Sequence, residues 1–163
     1  MNVDNNDNMV ECSSAARPLR FGKAGRLRHR SLVEGLFASG ECLYDYPLRV
    51  VWRRLTREEM ESSFRNGMPH GIGLLQMMVT IPKKKRRHAV DRVLMRRRIR
   101  EAYRLNRLPL LQVIRRLPDG GYVQLAFIYL HNDNMQYADV ERKMKKLLSR
   151  LQKQIEPSCL IEP

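Results

Sequence analysis

Residues 72–107 read "IGLLQMMVTIPKKKRRHAVDRVLMRRRIREAYRLNR". Two kinds of secondary structure meet at Pro82. The mostly apolar run "IGLLQMMVTIP" has strand length and is bounded by Gly71 and Pro82, so it reads as a buried strand at the centre of a sheet. From about residue 89 the pattern becomes helical. Counted from Arg92 at about 100° per residue, Arg96, Arg107, Arg100, Arg104 and Arg97 fall between about 40° and 140°. Leu94, Leu105, Ala102, Met95, Ile99 and Tyr103 occupy the opposite arc. The segment is an amphipathic helix with one core face and one arginine face. Arg98 lies within the apolar arc, where its head is expected to reach out to water. Val93 interrupts the arginine face.

Charge gives this segment its function. Residues 83–107 hold twelve Lys or Arg against two acids, Asp91 and Glu101, so 12 − 2 gives +10. The whole 163-residue chain has 31 basic and 17 acidic residues and a net charge of +14. The isoelectric point is about 10.3. Charge that serves solubility is mixed in sign. A concentrated basic field suits a polyanion, either nucleic acid or an anionic membrane. Arginine dominates the helix, and its planar fork makes paired hydrogen bonds to phosphate, whereas lysine is a mobile point charge. A rigid helix held on a sheet sets guanidiniums at fixed points, which suits a folded RNA recognised by shape. The candidate RNA-binding residues are Lys83, Lys84, Lys85, Arg86 and Arg87 before the helix, and Arg92, Arg96, Arg97, Arg100 and Arg104 on it.

Outward from this segment, the chain alternates helical and strand patterns. "RLRHRSLVEGLFASG" carries Leu27, Val33, Leu36 and Phe37 at mainly helical spacing and predicts a helix over about 28–39, stopped by Gly40. "LYDYPLRVVWRRL" predicts a strand over about 47–54, with Pro47 tolerable at its start. Residues 55–70 are polar and read as a long loop, with room for a short helical turn. After the arginine helix, "LPLLQVIRRLPDGG" continues helically for a turn or two beyond Pro109 and ends in turn chemistry. "YVQLAFIYL" is another buried strand, and "HNDN" offers capping residues for a last helix. In that helix Tyr137, Val140, Met144, Leu147, Leu148, Leu151 and Ile155 mark one face. A further short strand fits near residues 42–46 or beside the loop. The result is a mixed α/β sandwich, with helices packed on a sheet.

Catalytic signatures do not appear. His29, His70, His88 and His131 are isolated, so they do not form a metal site. No nucleophile motif, P-loop or GxGxxG occurs, and Glu58 and Glu59 lie in the polar loop. Cys12, Cys42 and Cys159 are odd in number and far apart, which fits a reducing cytosol without disulfides or zinc. No apolar run approaches the roughly 20 residues of a membrane span. The start, "MNVDNNDNMVECSSAARP", is polar and acidic, unlike a signal peptide, and reads as a disordered tail.

Strand, "PKK", "AV" and the arginine helix "RVLMRRRIREAYR" together resemble the bacterial ribonuclease P protein component. The opening "RLRHRSLVEGLFASG" and the final strand and helix are similar too, so the resemblance runs from about Leu19 to Leu151. It implies an α+β fold, a small αβββαβα sandwich on a mainly antiparallel sheet with a left-handed βαβ crossover. That domain would span residues 19–155, between tails at 1–18 and 156–163.

The resemblance also implies a cytoplasmic protein subunit whose partners are a catalytic RNA and precursor tRNA, with no obligate protein partner. The holoenzyme is an endoribonuclease that removes the 5′ leader and leaves a 5′-phosphate on the tRNA. Its magnesium is bound mainly by the RNA, and no catalytic residue or metal site is expected in the protein. Arg92 matches the first arginine of the family's Arg-Asn-Arg motif, and Val93 and Leu94 stand where the Asn and second Arg belong. Arg96, Arg97 and Arg100 match the following basic positions, and Lys83 and Lys84 the paired lysines. Phe37 matches the second of two phenylalanines at a leader cleft, and Val33 replaces the first. A ribosomal or RNA-chaperone protein would also explain the basic face. A membrane-surface helix conflicts with the core's need for Met95 and Ile99.

Overall fold

The computed structural model describes residues 20–156. The tail expected at 1–18 lies outside them, as does all of the C-terminal tail beyond Glu156. Ten elements follow one another: a 3-10 turn (Lys23–Gly25), α1 (Arg30–Ser39), β1 (Glu41–Asp45), β2 (Leu48–Leu55), α2 (Arg57–Ser62), β3 (Leu75–Thr80), α3 (Ala89–Asn106), α4 (Leu108–Arg115), β4 (Tyr122–Tyr129) and α5 (Tyr137–Ile155). With the short α2 and α4 set aside, this is the expected αβββαβα order. The sheet runs β1-β2-β4-β3. β1, β2 and β4 pair antiparallel, and β3 pairs parallel with β4. The expected short strand near 42–46 is β1.

β3 was expected at the centre of the sheet, and it is an edge strand. The α3–α4 crossover returns the chain so that β4 enters between β2 and β3. β3 is nevertheless mostly apolar, because its first half, Leu75–Met77, is buried on both faces. Its outer edge is partly closed as well: Arg26 bridges to Met77, and the Leu27 N–H donates to the Met77 carbonyl at 3.0 Å. Covering an edge in this way blocks pairing with other chains.

Strand alternation sorts the core into two layers. Val50, Trp52, Leu125 and Phe127 face α3, α4 and α5. Val51, Leu55, Tyr122 and Ala126 face α1 and α2, where Leu32, Leu36 and Met60 are buried. Gly40 ends α1 for a steric reason. Its φ is an ordinary −75°, but a Cβ there would lie 2.3 Å from the Leu36 carbonyl oxygen and 2.8 Å from Val51 Cγ1. Within the polar 55–70 stretch, Thr56 and Glu59 form a reciprocal capping box that starts α2. Met60 anchors that helix in the core.

The core face of α3 is narrower than its sequence pattern. Met95, Ile99, Ala102 and Tyr103 are buried, while Leu94 is half-buried and Leu105 is 40% exposed. "HNDN" does not cap α5. That helix starts after Gln136 without a side-chain cap. The stretch lies too early in the chain: Asn134 meets Asp91 at the start of α3 and the Asn132 carbonyl meets Arg86 in the loop before it, while His131 pairs with Tyr46. On the polar side of α5, Lys143 and Lys146 reach Asp45 at 3.2 and 3.5 Å, and Arg150 donates to the Tyr44 carbonyl. Part of its basic face thus pins α5 to β1.

Candidate nucleic-acid interface

The lysine loop leaves β3 at Pro82. The Pro82 carbonyl accepts from the Lys85 and Arg86 N–H groups at 3.0 and 3.1 Å, which closes a tight turn. Lys83, Lys84 and Arg87 are exposed on it, and Lys85 is half-buried. Arg86 behaves differently. Its side chain is only 14% exposed and pairs with Asp91 at 2.8 Å. It also donates to the Asn132 carbonyl. Asn134 Nδ2 donates to the same Asp91 at 2.9 Å, and the Tyr129 hydroxyl donates to the Asp133 carbonyl at 2.5 Å. Arg86 and "HNDN" therefore lock the β3–α3 loop to the β4–α5 loop. Arg92 adds to the lock: its Nη1 donates to the carbonyls of Arg86 and Arg87 at 2.9 and 2.6 Å. Arg98, the cation within the apolar arc, reaches out to the Met135 carbonyl on the same loop.

Along α3, Arg97 and Arg100 are exposed and Arg96 is half-buried. Val93 stands among them, 44% exposed. Arg104 is gripped by Glu101 through two hydrogen bonds of 2.9 and 2.7 Å, so its charge is largely answered within the helix. Arg100 has cations for neighbours. Burial, then the nearby Arg26 and Arg96, pull its guanidinium below arginine's ordinary value. Arginine stays protonated even so. Like charges gathered at one place are relieved by an anion.

Arg26 is a residue that sequence reasoning missed. It lies 70 positions before Arg96 and joins it only because the Arg26–Leu27 segment lines the β3 edge. The basic run "RLRHR" was the one available signal. Arg107, conversely, was placed on the arginine face and is only 9% exposed. Its Nη2 donates to the Arg20 carbonyl at 2.6 Å, and its guanidinium lies 5.4 Å from the Phe21 ring centroid. The N-terminal segment covers it.

A second surface opens on the other side of the sheet. Tyr44, Arg49, Ile128 and Thr80 are cross-strand neighbours and form one row over all four strands. Tyr44 and Arg49 are exposed in this row, and Ile128 and Thr80 are half-buried. Gly35 and Ser39 of α1 sit against Arg53, two rows away, with Arg53 Nη1 3.4 Å from Ser39 Oγ. The opposite side of α1, carrying Val33 and Phe37, therefore borders the open row. Phe37 is 47% and Tyr44 54% exposed. Thr80 leads directly into the lysine loop. The two surfaces, α3 face and open row, share that loop.

Among the described residues, no group of three or more His, Cys, Asp or Glu side chains comes together. Of the three cysteines only Cys42 is described, and it is free and exposed. No helix among the described residues is long and apolar enough to cross a membrane.

A family model described as Ribonuclease P matches residues 21–152. Ribonuclease P protein components from two strains of Porphyromonas gingivalis are each 33% identical to this chain over 145 residues, 88% of this chain and 96% of theirs. Among solved structures, the RNase P protein of Staphylococcus aureus is similar with a TM-score of 0.49 at 15% identity, over 79% of this chain and 96% of that one. The family match takes in α1, the lysine loop, the whole arginine helix and most of α5. The chain belongs to the ribonuclease P protein family.

Proposed function

We propose that this chain holds the catalytic RNA of ribonuclease P on the arginine face of α3, and the 5′ leader of precursor tRNA on the open sheet row beside Phe37. The family gives it a role in ribonuclease P and tRNA processing, with an RNA partner. The observation that carries the finer reading is the gathering of Arg26 and Arg96 around Arg100, on the helix that follows the loop of the exposed Lys83 and Lys84. Guanidiniums at fixed positions match phosphates at fixed positions in a folded RNA. Arg97 and Arg87 extend that surface. Arg86 and Arg92 act in this reading as positioning residues, since their guanidiniums hold the loop that presents the lysines.

The exposed aromatics Phe37 and Tyr44 offer stacking surfaces for unpaired leader bases, with Arg49 beside them for the backbone. The reaction is endonucleolytic hydrolysis that leaves a 5′-phosphate on the mature tRNA. The RNA performs it with its own magnesium, in the cytoplasm. The protein neutralises phosphates where the two RNAs approach one another, which lowers the magnesium needed for productive binding.

Cleavage of precursor tRNA by the catalytic RNA of the same organism, at low magnesium, tests this directly. Adding the chain should stimulate formation of the mature 5′ end. Tight binding to ribosomal RNA without stimulation would replace the reading with a general RNA-binding module.

A further inference from the structure

We infer that the upstream part of the leader, once past the open sheet row, crosses β1 and lies along a stripe of cations on α5 made by Arg142, Lys146, Arg150 and Lys153. This deepens the leader reading above and rests on it. Between Arg142 and Lys153 the chain holds six Lys or Arg and no acid. Charge that serves solubility is mixed in sign, whereas charge of one sign on a helix face suits a polyanion. The four residues of the stripe follow one another at helical spacing, so they share a face. From first to last they rise about 16 Å. All four are exposed.

The fold answers only part of this charge. Asp139 meets Arg142 at 3.1 Å, and Asp45 meets Lys143 and Lys146 at 3.2 and 3.5 Å. Among the described residues, no carboxylate pairs with Arg150 or Lys153. Arg150 is the link to the sheet. Its Nη1 donates to the Tyr44 carbonyl at 2.9 Å. Tyr44 is also the last residue of the open row, and β1 is the outermost strand at that end of the sheet. A cation of α5 thus reaches the backbone of the residue at which the row ends.

Topology gives the stripe to the leader. The order β1-β2-β4-β3 puts β1 and β3 at opposite edges, and Arg26 lies on the β3 edge. The α3 face that gathers around Arg26 is therefore far from β1. A leader that enters the row at Thr80, beside the lysine loop, leaves it at Tyr44 and meets Arg150 next. Tyr46 adds a stacking face there. It is 51% exposed, and its hydroxyl lies 2.7 Å from His131 Nδ1. With Lys143 it lines a hollow of about 300 Å³. Cations along the backbone and an aromatic face for a base are the means by which single strands are held. An anionic membrane fits less well. Val140, Met144, Leu147, Leu148 and Leu151 are buried in the core, so α5 keeps no apolar face to enter a bilayer.

The test uses the holoenzyme, assembled from the full chain and the catalytic RNA. Its substrates are precursor tRNAs whose leaders grow one nucleotide at a time, starting from a leaderless tRNA. Binding is measured at several salt concentrations. With the wild-type chain, affinity and salt slope should rise in two stages, first over the row and then over α5. Each phosphate met on α5 should add about 0.7 units of slope. The triple variant Arg142→Gln, Lys146→Gln, Lys153→Gln should lose the second stage and keep the first, with its thermal midpoint as the check on folding. Arg150 is left in place because it also fastens β1. In the wild-type holoenzyme, thiouridine in the upstream leader should crosslink to α5.

A single stage that ends with the row would overturn the α5 path and leave the leader reading standing. No gain over the leaderless tRNA would defeat the leader reading itself, and the path with it. A second stage that survives in the triple variant would overturn the path and leave the stripe to another polyanion, such as an anionic membrane. Equal weakening of every substrate, the leaderless tRNA included, would overturn it too and assign the stripe to the tRNA body or the catalytic RNA. Crosslinks confined to other elements would overturn the path whatever the variant does.

Discussion

Arg97 and Arg104 occupy the same helix face, but only one of them presents an unanswered charge. Arg97 is exposed, whereas Glu101 holds Arg104 with two hydrogen bonds. Arg97→Ala should therefore lower the salt slope of RNA binding by about 0.7–0.9 units, the loss expected for one phosphate contact. Arg104→Ala should lower it by less, because Glu101 is released along with it. Equal losses, measured from binding curves at several salt concentrations, would show that the Glu101 pairing opens in the complex. Exposure separates Ile99 and Phe37 just as sharply. Ile99 is fully buried, so Ile99→Ala should cost about 2–5 kcal/mol in chemical denaturation. Phe37 is 47% exposed, so Phe37→Ala should change stability by no more than about 0.5 kcal/mol. Its loss should instead weaken binding of leader-bearing precursor by about 1–3 kcal/mol if one base stacks there. Equal weakening with a leaderless tRNA would remove Phe37 from the leader site.

At the scale of elements, the lysine loop owes its position to a tie between two loops. Asp91 sits at the centre of it. The Asn134 hydrogen bond draws its carboxyl below the usual carboxylate range; burial opposes this, and Arg86 adds to the lowering. A depressed folded value sets the sign. The tie contributes fully above the unfolded carboxylate value of about 3.9 and fades as pH falls towards the lower folded value. Asp91→Asn should therefore be less stable than wild type at neutral pH, and the gap should close below about pH 4. Urea midpoints across that range report it, and a gap that does not depend on pH would mean that the Arg86 pair adds nothing. "HNDN" joins the same tie. Its residues look like helix caps in sequence, because Asn and Asp serve both caps and loop contacts, and local sequence does not say which partner arrives.

Across the whole molecule, local patterns in the chain suffice to read the element order, the two helix faces and the concentration of charge. These follow from local rules: period 3.6 or 2 in apolar residues, and the sign of neighbouring side chains. Ile99, Met95, Leu147 and Leu151 were legible as core for that reason. The lysines after Pro82 were legible as a basic loop. The remaining features follow from how distant segments pack together. β3 became an edge because the crossover through α3 and α4 places β4 inside, and an edge strand whose first half is buried reads as apolar as a central one. Arg107 left the basic face because Phe21 and the Arg20 carbonyl, more than 80 residues earlier, cover it. Arg26 entered that face, and Arg86 was turned from a surface cation into a lock. Each of these outcomes depends on which distant segment packs against a side chain. A periodic pattern records how a residue faces within its own element, and it carries nothing about what the fold brings to meet it.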